Sequence, residues 1–281
     1  MKGFAKFWKT ANGRLKIGLI STIFFLVIGF VVYYVPHVNP FTFNTYEVKL
    51  GACAEHWLGT TSMGQDVVWL LIEAIHNSLV IGLIVATIGT VVGVFVGLLA
   101  GFAGGALDTI LMVITDTFVV IPSLPILIMM TSLMGGGNTT IIMALVLAMF
   151  AWAWPSRQIR SMALSIKERD FIHTARFSGE GMVQIVVTEI LPYALTWSLS
   201  NFMNAVLSAI GSESSLAVLG LSPGNLVSLG NMIQWARDYN AIFNKQYLWI
   251  GAPIVATVVL FIGLFLLITG YNDYLSMKRG R

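Results

Sequence analysis

The sequence predicts an all-α membrane protein with six transmembrane helices. Its composition is 57% hydrophobic and only 10% charged, and its mean hydropathy is +0.82. Soluble domains carry roughly 25% charged residues, so this composition cannot cover a water-facing surface. Six apolar runs approach the roughly 20 residues that a helix needs to cross the hydrocarbon core. The runs lie near 17–35, 79–102, 109–134, 139–157, 190–210 and 247–269.

The first run follows a basic segment and could be a secretory signal. Its uninterrupted length and its exit at Val35-Pro36, without a small-x-small cleavage site, favour a retained anchor. We therefore divide the chain into five parts. They are an N-terminal segment 1–16, a first transmembrane helix 17–35, an outer segment 36–77, a core 78–270 with five transmembrane helices, and a tail 271–281.

Lysine and arginine are distributed very unevenly between the two sides of these spans. Thirteen of the sixteen lie in the N-terminal segment, the connection around 157–189 and the tail, and only Lys49, Arg237 and Lys245 lie opposite. Connections rich in Lys and Arg stay in the cytoplasm. Both termini and the 158–189 connection are therefore predicted to be cytoplasmic. The net charge of +3 reflects this orientation, and we expect no nucleic acid partner.

Residues 66–76 have an amphipathic pattern, with apolar residues on one helical face and Asp66, Glu73 and His76 on the other. This pattern predicts either an interfacial amphipathic helix within the outer segment or an extended start of the second span. The sequence leaves these two interpretations open.

Glycines recur every fourth residue along the second span, at Gly89, Gly93, Gly97 and Gly101, and continue to Gly105. Such a small-xxx-small ridge lets helix backbones approach closely. We predict that it packs against another helix of the same subunit. A seam against a second membrane subunit is the alternative.

The third span and the last connection contain residues that are unusual in a membrane. Pro122 and Pro125 predict a kink or break, because each removes a backbone donor. Asp116 is a candidate for the substrate path, since an intramembrane carboxylate is costly, although its place near the cytoplasmic end favours a structural pairing. Glu213 begins the 211–246 connection, which is predicted to dip into the membrane. It could face the substrate path or cap a helix.

The cytoplasmic connection contains a short helical segment that Gly179 and Gly181 should end, before Pro192 opens the fifth span. One face of this helix is apolar, and it suits either a groove on another protein or the lipid surface. Composition leaves both open. The apolar face comprises Phe171, Ile172 and Ala175, and the residues around it are Arg169, Asp170, His173 and Arg176.

The stretch from Arg169 to Gly179, followed by Ile190-Leu191-Pro192, resembles the coupling-helix signature of permease subunits in bacterial and archaeal ABC importers. The resemblance runs along most of the chain and narrows to the second, C-type permease of dipeptide, oligopeptide and nickel importers. Two departures are visible. His173-Thr174-Ala175 stands where the signature has Glu-Ala-Ala, and Thr61 and Gln65 stand where the family usually has Asp and Arg. Further matching segments are 56–66, Asp108 to Asp116, Pro122-Ser123, Trp154-Pro155 with Arg157 and Arg160, Glu213 with 219–221, and 230–232.

The resemblance implies a type I ABC importer permease fold with a cytoplasmic coupling helix at about 168–182. It implies four kinds of neighbour: a homologous second permease in a heterodimer, two ATP-binding subunits, an extracytoplasmic substrate-binding protein and the membrane lipid. This chain would bind no cofactor, and ATP and Mg would be bound by the ATPases. The cargo would be peptides, with oligosaccharides or a nickel chelate as alternatives, in a prokaryotic inner membrane. The implied ATPase-coupling residues are Arg169, Asp170, Phe171, Ile172, His173, Thr174, Ala175, Arg176 and Gly179.

Other functions have weaker support in the sequence. No Gly-x-x-x-x-Gly-Lys-Ser/Thr stretch exists, so ATP hydrolysis is expected on separate subunits and no catalytic residue is assigned here. One cysteine and four histidines without ligand spacing predict no metal site. An intramembrane serine protease using Ser212 or Ser214 would need a histidine base in the membrane, and all four histidines are predicted to lie in loops. A secondary transporter would show inverted repeats or several buried ionisable groups.

Overall fold

The structure, a computed structural model, describes residues 11–132 and 139–279. Regular secondary structure in these ranges is entirely helical, and the β-pairing found there is one isolated bridge between Thr60 and Asp66. The all-α prediction is therefore confirmed for the described residues. Lys2, Lys6, Lys9 and Arg281, which entered the orientation argument, lie outside them.

Eleven α-helices and two short irregular turns follow one another along the described chain. They are α1 (Gly13–Phe30), a 3-10 turn (Val32–Tyr34), α2 (Val67–Ala103), α3 (Gly105–Val120), α4 (Ser123–Ser132), α5 (Thr139–Ala151), α6 (Ala153–Lys167), α7 (Asp170–Phe177), α8 (Met182–Ile185), a π-helical turn (Val186–Ile190), α9 (Leu191–Val218), α10 (Leu229–Asp238) and α11 (Tyr247–Arg279).

Four of the described helical segments are long and apolar enough to cross a membrane, and a bent pair formed by α3 and α4 is a fifth candidate. Helix α9 has 28 residues, which is roughly 42 Å and also long enough. It is not among the candidates, because polar residues such as Asn201, Asn204 and Ser208 interrupt its apolar surface. The sixth span therefore stays a prediction. The four segments are Gly13–Tyr34, Val67–Ala103, Thr140–Lys167 and Tyr247–Met277.

The predicted break at the prolines is confirmed. Helix α3 ends at Val120, α4 begins at Ser123, and the two are bent by 77°. Ile121 has an extended backbone (φ −64°, ψ 125°), as expected for the residue before a proline. Pro125 lies in the first turn of α4, where its missing N–H needs no helical partner.

Helix α2 continues without interruption for 37 residues from Val67, so residues 66–76 form the extended start of this span. Asp66 caps the helix, because its Oδ1 accepts hydrogen bonds from the amides of Val68 at 2.8 Å and Trp69 at 3.2 Å. The other carboxylate oxygen lies 2.6 Å from His56 Nδ1, and both side chains are buried.

The prediction that all four histidines lie in loops is wrong for His76, which lies in α2, whereas His173 lies in the short helix of the cytoplasmic connection as expected. The apolar periodicity of 66–76 continues into the span and carries His76 with it. His76 is engaged in packing: its Nδ1 lies 2.7 Å from the carbonyl oxygen of Gly29, and its ring stacks on Tyr33 at 3.8 Å.

The chain divides into two compact units. The first unit comprises Met1–Gly82, Met130–Met143 and Leu207–Arg281, and the second comprises Leu83–Met129 and Ala144–Val206. In the first unit, α1 and α11 approach closely because glycines lie in their contact: Gly18 faces the backbone of Leu267. Asn12 Nδ2 donates to Asp273 Oδ2 at 3.2 Å beside the same contact.

In the second unit, the glycine ridge of α2 faces residues 151–163 of the same chain, which agrees with the predicted packing within the subunit. A Cβ added at Gly93 would lie 2.6 Å from Pro155 Cβ, and one added at Gly97 would lie 2.6 Å from the carbonyl oxygen of Ser156. Gly89 and Gly101 face Ala151 and Ala163 in the same way. The ridge therefore sets how closely α2 packs against this stretch.

Gly97→Ala is expected to lower stability by about 1–3 kcal/mol, because its Cβ would overlap backbone that cannot move aside cheaply. Gly251→Ala is the matched control: it also lies within a helix, α11, but a Cβ there meets nothing within 4 Å. The control should be neutral or stabilising by about 0.5–1 kcal/mol, as helix propensity predicts. Thermal unfolding in detergent, followed by size-exclusion chromatography, measures both, and equal loss in the two variants would contradict the packing role.

Candidate functional site

Helix α7 is a separate eight-residue helix in the connection between α6 and α9. Asp170 lies in its first turn and Arg176 in its last, so both charges favour the helix dipole. Its end is closed by hydrogen bonds from the Glu180 amide to the Ala175 carbonyl (3.2 Å) and from the Gly179 amide to the Arg176 carbonyl (3.0 Å). This closure needs a left-handed residue, and Gly179 has φ +84°. The predicted stop at Gly179 is confirmed.

The apolar face of α7 packs against the chain itself. Ile172 is completely buried in a hydrophobic cluster, and Phe171 and Ala175 are partly buried against it. The prediction that this face projects towards a partner or the lipid is therefore wrong, because apolar residues of α2, α6, α8 and α9 cover it. The buried members of the cluster are Leu98, Phe102, Ile159, Ala163, Ile166, Ile172, Ile185, Ile190 and Ala194.

The polar face of α7 is the face that solvent reaches. Phe177 is 92% exposed at the end of the helix, although it carries a large apolar side chain. Charged or titratable groups of both signs surround it, so this face can form hydrogen bonds and ion pairs with a partner and also offers one aromatic anchor. The exposed residues of the face are Arg169, Asp170, His173, Thr174, Arg176 and Phe177.

Two polar contacts fix the end of α6 and the helix α7 to neighbouring elements of the second unit. Lys167 Nζ donates to the carbonyl oxygen of Phe102 at 3.0 Å, in the last turn of α2, where a cation is favourable. The guanidinium of Arg176 lies 6.0 Å from the centre of the Phe102 ring, within cation–π range.

Helix α6 is also tied to α3 by an ion pair that the sequence analysis missed. Arg160 donates from Nε to Asp108 Oδ1 at 2.6 Å and from Nη2 to Oδ2 at 2.7 Å. This two-pronged geometry is the strong form of an arginine–carboxylate contact. In the sequence, Asp108 and Arg160 are visible only as single charged residues beside apolar runs. Because 52 positions separate them, no local sequence rule predicts that they form a pair.

Asp116 lies 3.5 Å (Oδ1) from Arg157 Nε, and the side chains are 55% and 50% exposed, respectively. This is the structural pairing that its position favoured. Nothing in the described contacts of Asp116 distinguishes a role in a substrate path.

The Ile190-Leu191-Pro192 segment lies within one continuous helical stretch. The π-helical turn Val186–Ile190 precedes α9, and the Leu191 amide donates to the Val186 carbonyl, five residues back. A wider turn suits Pro192, which has no N–H for the usual bond. Ile190 is buried in the cluster beneath α7, so the π turn lies directly beside the anchor of that helix. Single π turns often mark functional positions.

Glu213 lies inside α9 rather than in a connection, since that helix continues to Val218. It is fully buried, and its Oε1 accepts hydrogen bonds from Ser228 Oγ at 2.6 Å and from Ser222 Oγ at 3.5 Å. Ser228 also caps α10 by accepting from the Asn231 amide at 3.1 Å. The helix-cap interpretation is therefore closer to the structure, because Glu213 binds the residue that caps α10.

A family described as "Binding-protein-dependent transport system inner membrane component" matches residues 93–281. The match includes α7, every buried residue of the cluster beneath it and Glu213. The chain belongs to this family. Its members are inner membrane components of transport systems, which agrees with the several apolar helices long enough to cross a membrane.

Individual relatives within this transport family match along nearly the whole chain. The oligopeptide transport system permease protein OppC of Lactococcus lactis subsp. lactis (strain IL1403) is 28% identical over 257 residues, covering 89% of this chain and 87% of that protein. OppC of Mycobacterium bovis (strain ATCC BAA-935 / AF2122/97) is 30% identical over 253 residues, covering 88% and 86%. The nickel transport system permease protein NikC of Escherichia coli (strain K12) is 26% identical over 260 residues, covering 91% and 92%.

A solved structure of the MetNI methionine ABC transporter in inward-facing conformations matches with a TM-score of 0.51 at 19% identity. The match covers 72% of this chain and 96% of that one. At this identity the likeness shows the fold alone, which is that of a type I ABC importer permease. The relatives together place this family member among the C-type permeases.

Proposed function

We propose that this chain is one of two permease subunits of an ATP-driven, binding-protein-dependent importer, and that α7 is its coupling helix. The observation that carries the proposal is the two-sided character of α7. Ile172 anchors the helix in the chain's own cluster, while its charged face and Phe177 are free to meet a partner. A helix of eight residues has little stability alone, so the anchor at Ile172 keeps α7 ordered while its polar face stays open to a partner.

The exposed face indicates what the partner surface must offer. It needs an apolar pocket for the Phe177 ring and polar groups for Arg169, Asp170 and Arg176 around it. His173 stands where the family signature has a glutamate, so the ATPase surface opposite it should differ from that of relatives. This permease would bind no ATP itself, and two ATP-binding subunits would bind ATP and Mg.

Force would pass from the ATPases into the membrane through the anchor of α7. The cluster joins residues of α2, α6, α8 and α9 to Ile172 in one close-packed body, and packed interiors transmit displacement rather than absorb it. Closure of the ATPases would therefore move α7 and these helices together. The spans would alternate between inward-open and outward-open arrangements by rigid-body rotation.

The proposed topology keeps six spans, with α9 as the fifth, and both termini and the 158–189 connection in the cytoplasm. The coupling helix lies within the 78–270 core, a second homologous permease completes the translocation path, and an extracytoplasmic binding protein delivers the cargo.

Chemical labelling tests on which side of the membrane the 158–189 connection lies. In a chain with Cys53→Ser and Ser178→Cys, the new cysteine at this exposed position should react with a membrane-impermeant maleimide only once the cells are opened. Labelling of intact cells would overturn the topology.

We propose peptides as the cargo, because the relatives with 28% and 30% identity are named as oligopeptide permeases. A nickel chelate is the second candidate, on the strength of the nickel permease that is 26% identical. None of these relatives favours oligosaccharides. Uptake of radiolabelled peptides and of ⁶³Ni by cells with and without this gene decides between the two cargos, since only one should depend on the chain.

Gly179→Val is expected to abolish coupled uptake while leaving the subunit in the membrane. Valine is strongly disfavoured at φ +84°, so the closure of α7 would fail and the docking face would be displaced. Gly181→Val is the control, since Gly181 is two residues away, lies outside the left-handed region and has open space around its Cα. Substrate uptake and substrate-stimulated ATPase activity of the reconstituted complex should fall at least tenfold in the first variant only. Normal uptake by Gly179→Val would count against α7 as the coupling helix.

A further inference from the structure

We propose that Arg157 of α6 and Asp116 of α3 bind the carboxylate and ammonium ends of a short peptide cargo. The inference rests on the permease function proposed above, and it adds the residues that the peptide contacts. Both residues belong to the second unit. Their side chains are 50% and 55% exposed, and Arg157 Nε lies 3.5 Å from Asp116 Oδ1.

Helices α3 and α6 are joined by two arginine–aspartate pairs that differ in geometry. Arg160 makes contacts of 2.6 and 2.7 Å with Asp108, and these side chains are only 34% and 14% exposed. The closest approach in the Arg157–Asp116 pair is the longer distance of 3.5 Å. The short pair already holds the two helices together, and an exposed pair adds only about 0–1 kcal/mol. Stability therefore gives little reason for the second pair.

The Arg157–Asp116 pair has hydrogen-bonding capacity left for a ligand. A guanidinium carries several N–H donors and a carboxylate several acceptor positions, and a contact of 3.5 Å is too long to use them well. The planar guanidinium of Arg157 can hold a carboxylate through two parallel bonds, while the carboxylate of Asp116 suits an ammonium group. A peptide with free ends supplies both groups, so neither charge is left unpaired when it binds.

The face of α6 that carries Arg157 is polar and aromatic. Trp154, Arg157, Gln158 and Ser161 recur at helical spacing, and all four are exposed, whereas the opposite face packs on the glycine ridge of α2. Trp154 is 54% exposed, and its ring lies 5.9 Å from the ring of Trp197 in α9. Such rings offer apolar surface to a cargo side chain, and the Gln158 amide offers the donors and the acceptor that a peptide bond pairs with.

This face lies on a segment, Thr140–Lys167, that is long and apolar enough to cross a membrane. Hydrocarbon does not solvate charges, so charged side chains in spanning segments face a water-filled cavity or another protein. Seams between membrane helices favour small residues and close backbone contact, whereas Trp154, Arg157 and Gln158 are large and exposed. A water-filled cargo path is therefore the surrounding that this face fits best.

The same surface disfavours a metal cation. Within the part of the chain that the structure describes, no group of three or more His, Cys, Asp or Glu side chains is suited to hold a metal ion. Arg157 also places a positive charge beside the Asp116 carboxylate, which repels a cation. Of the two cargos proposed above, the pair favours the peptide.

Saturation-transfer NMR on the full transporter complex in lipid nanodiscs, without binding protein, measures peptide binding directly. The probes are trialanine, its C-terminal amide and its N-acetyl derivative. Removal of either charged end should weaken binding at least about tenfold, because that end loses a charge-assisted contact and leaves a charge of the protein unpaired. Equal binding of the three probes, or no binding of trialanine, would overturn the proposal.

Variants assign each end of the peptide to its residue. Arg157→Gln should weaken trialanine about tenfold but leave the amide unchanged, since the amide has no carboxylate for Arg157 to hold. Asp116→Asn should weaken trialanine and leave the N-acetyl peptide unchanged. Arg14→Gln is the matched control, because Arg14 is 65% exposed and lies 3.4 Å from Asp273, and it should alter none of the three. Variants at Arg157 and Asp116 that bind every probe normally, or weaken all of them alike, would refute the assignment.

Uptake separates this inference from the function on which it rests. With saturating binding protein, proteoliposomes holding Arg157→Gln or Asp116→Asn should import radiolabelled trialanine at least about fivefold more slowly than the unmodified transporter. Thermal unfolding should stay unchanged, as expected for an exposed pair. If the unmodified transporter imports trialanine and both variants import it equally well, this inference fails alone. If the unmodified transporter imports none, the peptide cargo and this inference fail together.

Discussion

Ile172→Asp should release α7 from the second unit and abolish uptake. Ile172 is completely buried among apolar side chains, and a carboxylate there would lose its hydration without gaining a partner. The loss of packing and the buried charge together should cost about 4 kcal/mol or more. An eight-residue helix cannot remain ordered alone. The expected result is therefore local unfolding of α7 rather than loss of the whole fold.

Hydrogen exchange of the α7 amides measures this directly, and uptake by the reconstituted transporter measures its consequence. Thr174→Asp is the matched control, because it adds the same side chain to the exposed face of the same helix. In the control the amides should stay protected, even if docking weakens. Ile172→Val, which removes one methylene, should cost only about 0.5–1.5 kcal/mol and keep protection. If α7 stays protected in Ile172→Asp, the anchor lies elsewhere.

The direction of α7 shows a limit of sequence reasoning. Periodicity correctly places Phe171, Ile172 and Ala175 on one face of a helix that ends at Gly179, because both features are local. It cannot say whether that apolar face meets a partner or the chain's own core, since both environments select the same residues. The deciding contacts come from residues as distant as Leu98 and Ala194.

The sequence predictions were correct where the backbone chemistry of a single residue type, proline or glycine, decides the local structure. Pro122 breaks a span because it removes a donor, and glycine spacing marks the ridge at Gly97 because only the absence of a Cβ allows the close contact. Pairs of polar side chains were not predictable in this way. The Arg160–Asp108 pair depends on how α3 and α6 meet, and the contact of Glu213 with Ser228 joins α9 to the cap of α10, 15 positions further along the chain.

Thr61 and Gln65, which depart from the residues that the resemblance predicts, form a neutral contact in a buried turn. Their side chains are buried, and the Thr61 hydroxyl donates to Gln65 Oε1 at 3.4 Å, while the Thr61 amide donates to the Gln65 carbonyl at 2.9 Å. A neutral pair thus occupies the positions where the resemblance described above led us to expect aspartate and arginine. Because a neutral pair has less desolvation cost than an ion pair, the turn can close here without two charges.

Glu213→Ala is the second change expected to have a large effect. It would leave the hydroxyls of Ser228 and Ser222 without their buried acceptor and open a cavity beside α9. The free energy of unfolding should fall by about 3 kcal/mol or more. The loss should concentrate in α10, because Ser228 is the cap of that helix. Hydrogen exchange of residues 229–238 and thermal unfolding would record it. Ser215→Ala is the control: within the part of the chain that the structure describes, its exposed hydroxyl donates to the Gly211 carbonyl of its own helix, and its loss should cost less than about 0.5 kcal/mol.

Glu213→Gln separates a structural role from a role in the substrate path. The contacts described for the carboxylate are with serine hydroxyls, which are neutral donors, so a glutamine oxygen can accept from Ser228 in the same place. The free energy of unfolding of Glu213→Gln should therefore stay near that of the unmodified chain, and so should uptake.

The double variant Glu213→Ala, Ser228→Ala should lower the free energy of unfolding by less than the sum of the two single changes, since both changes remove the same interaction. A Glu213→Gln chain that is stable but transports nothing would show instead that the negative charge itself acts on the cargo.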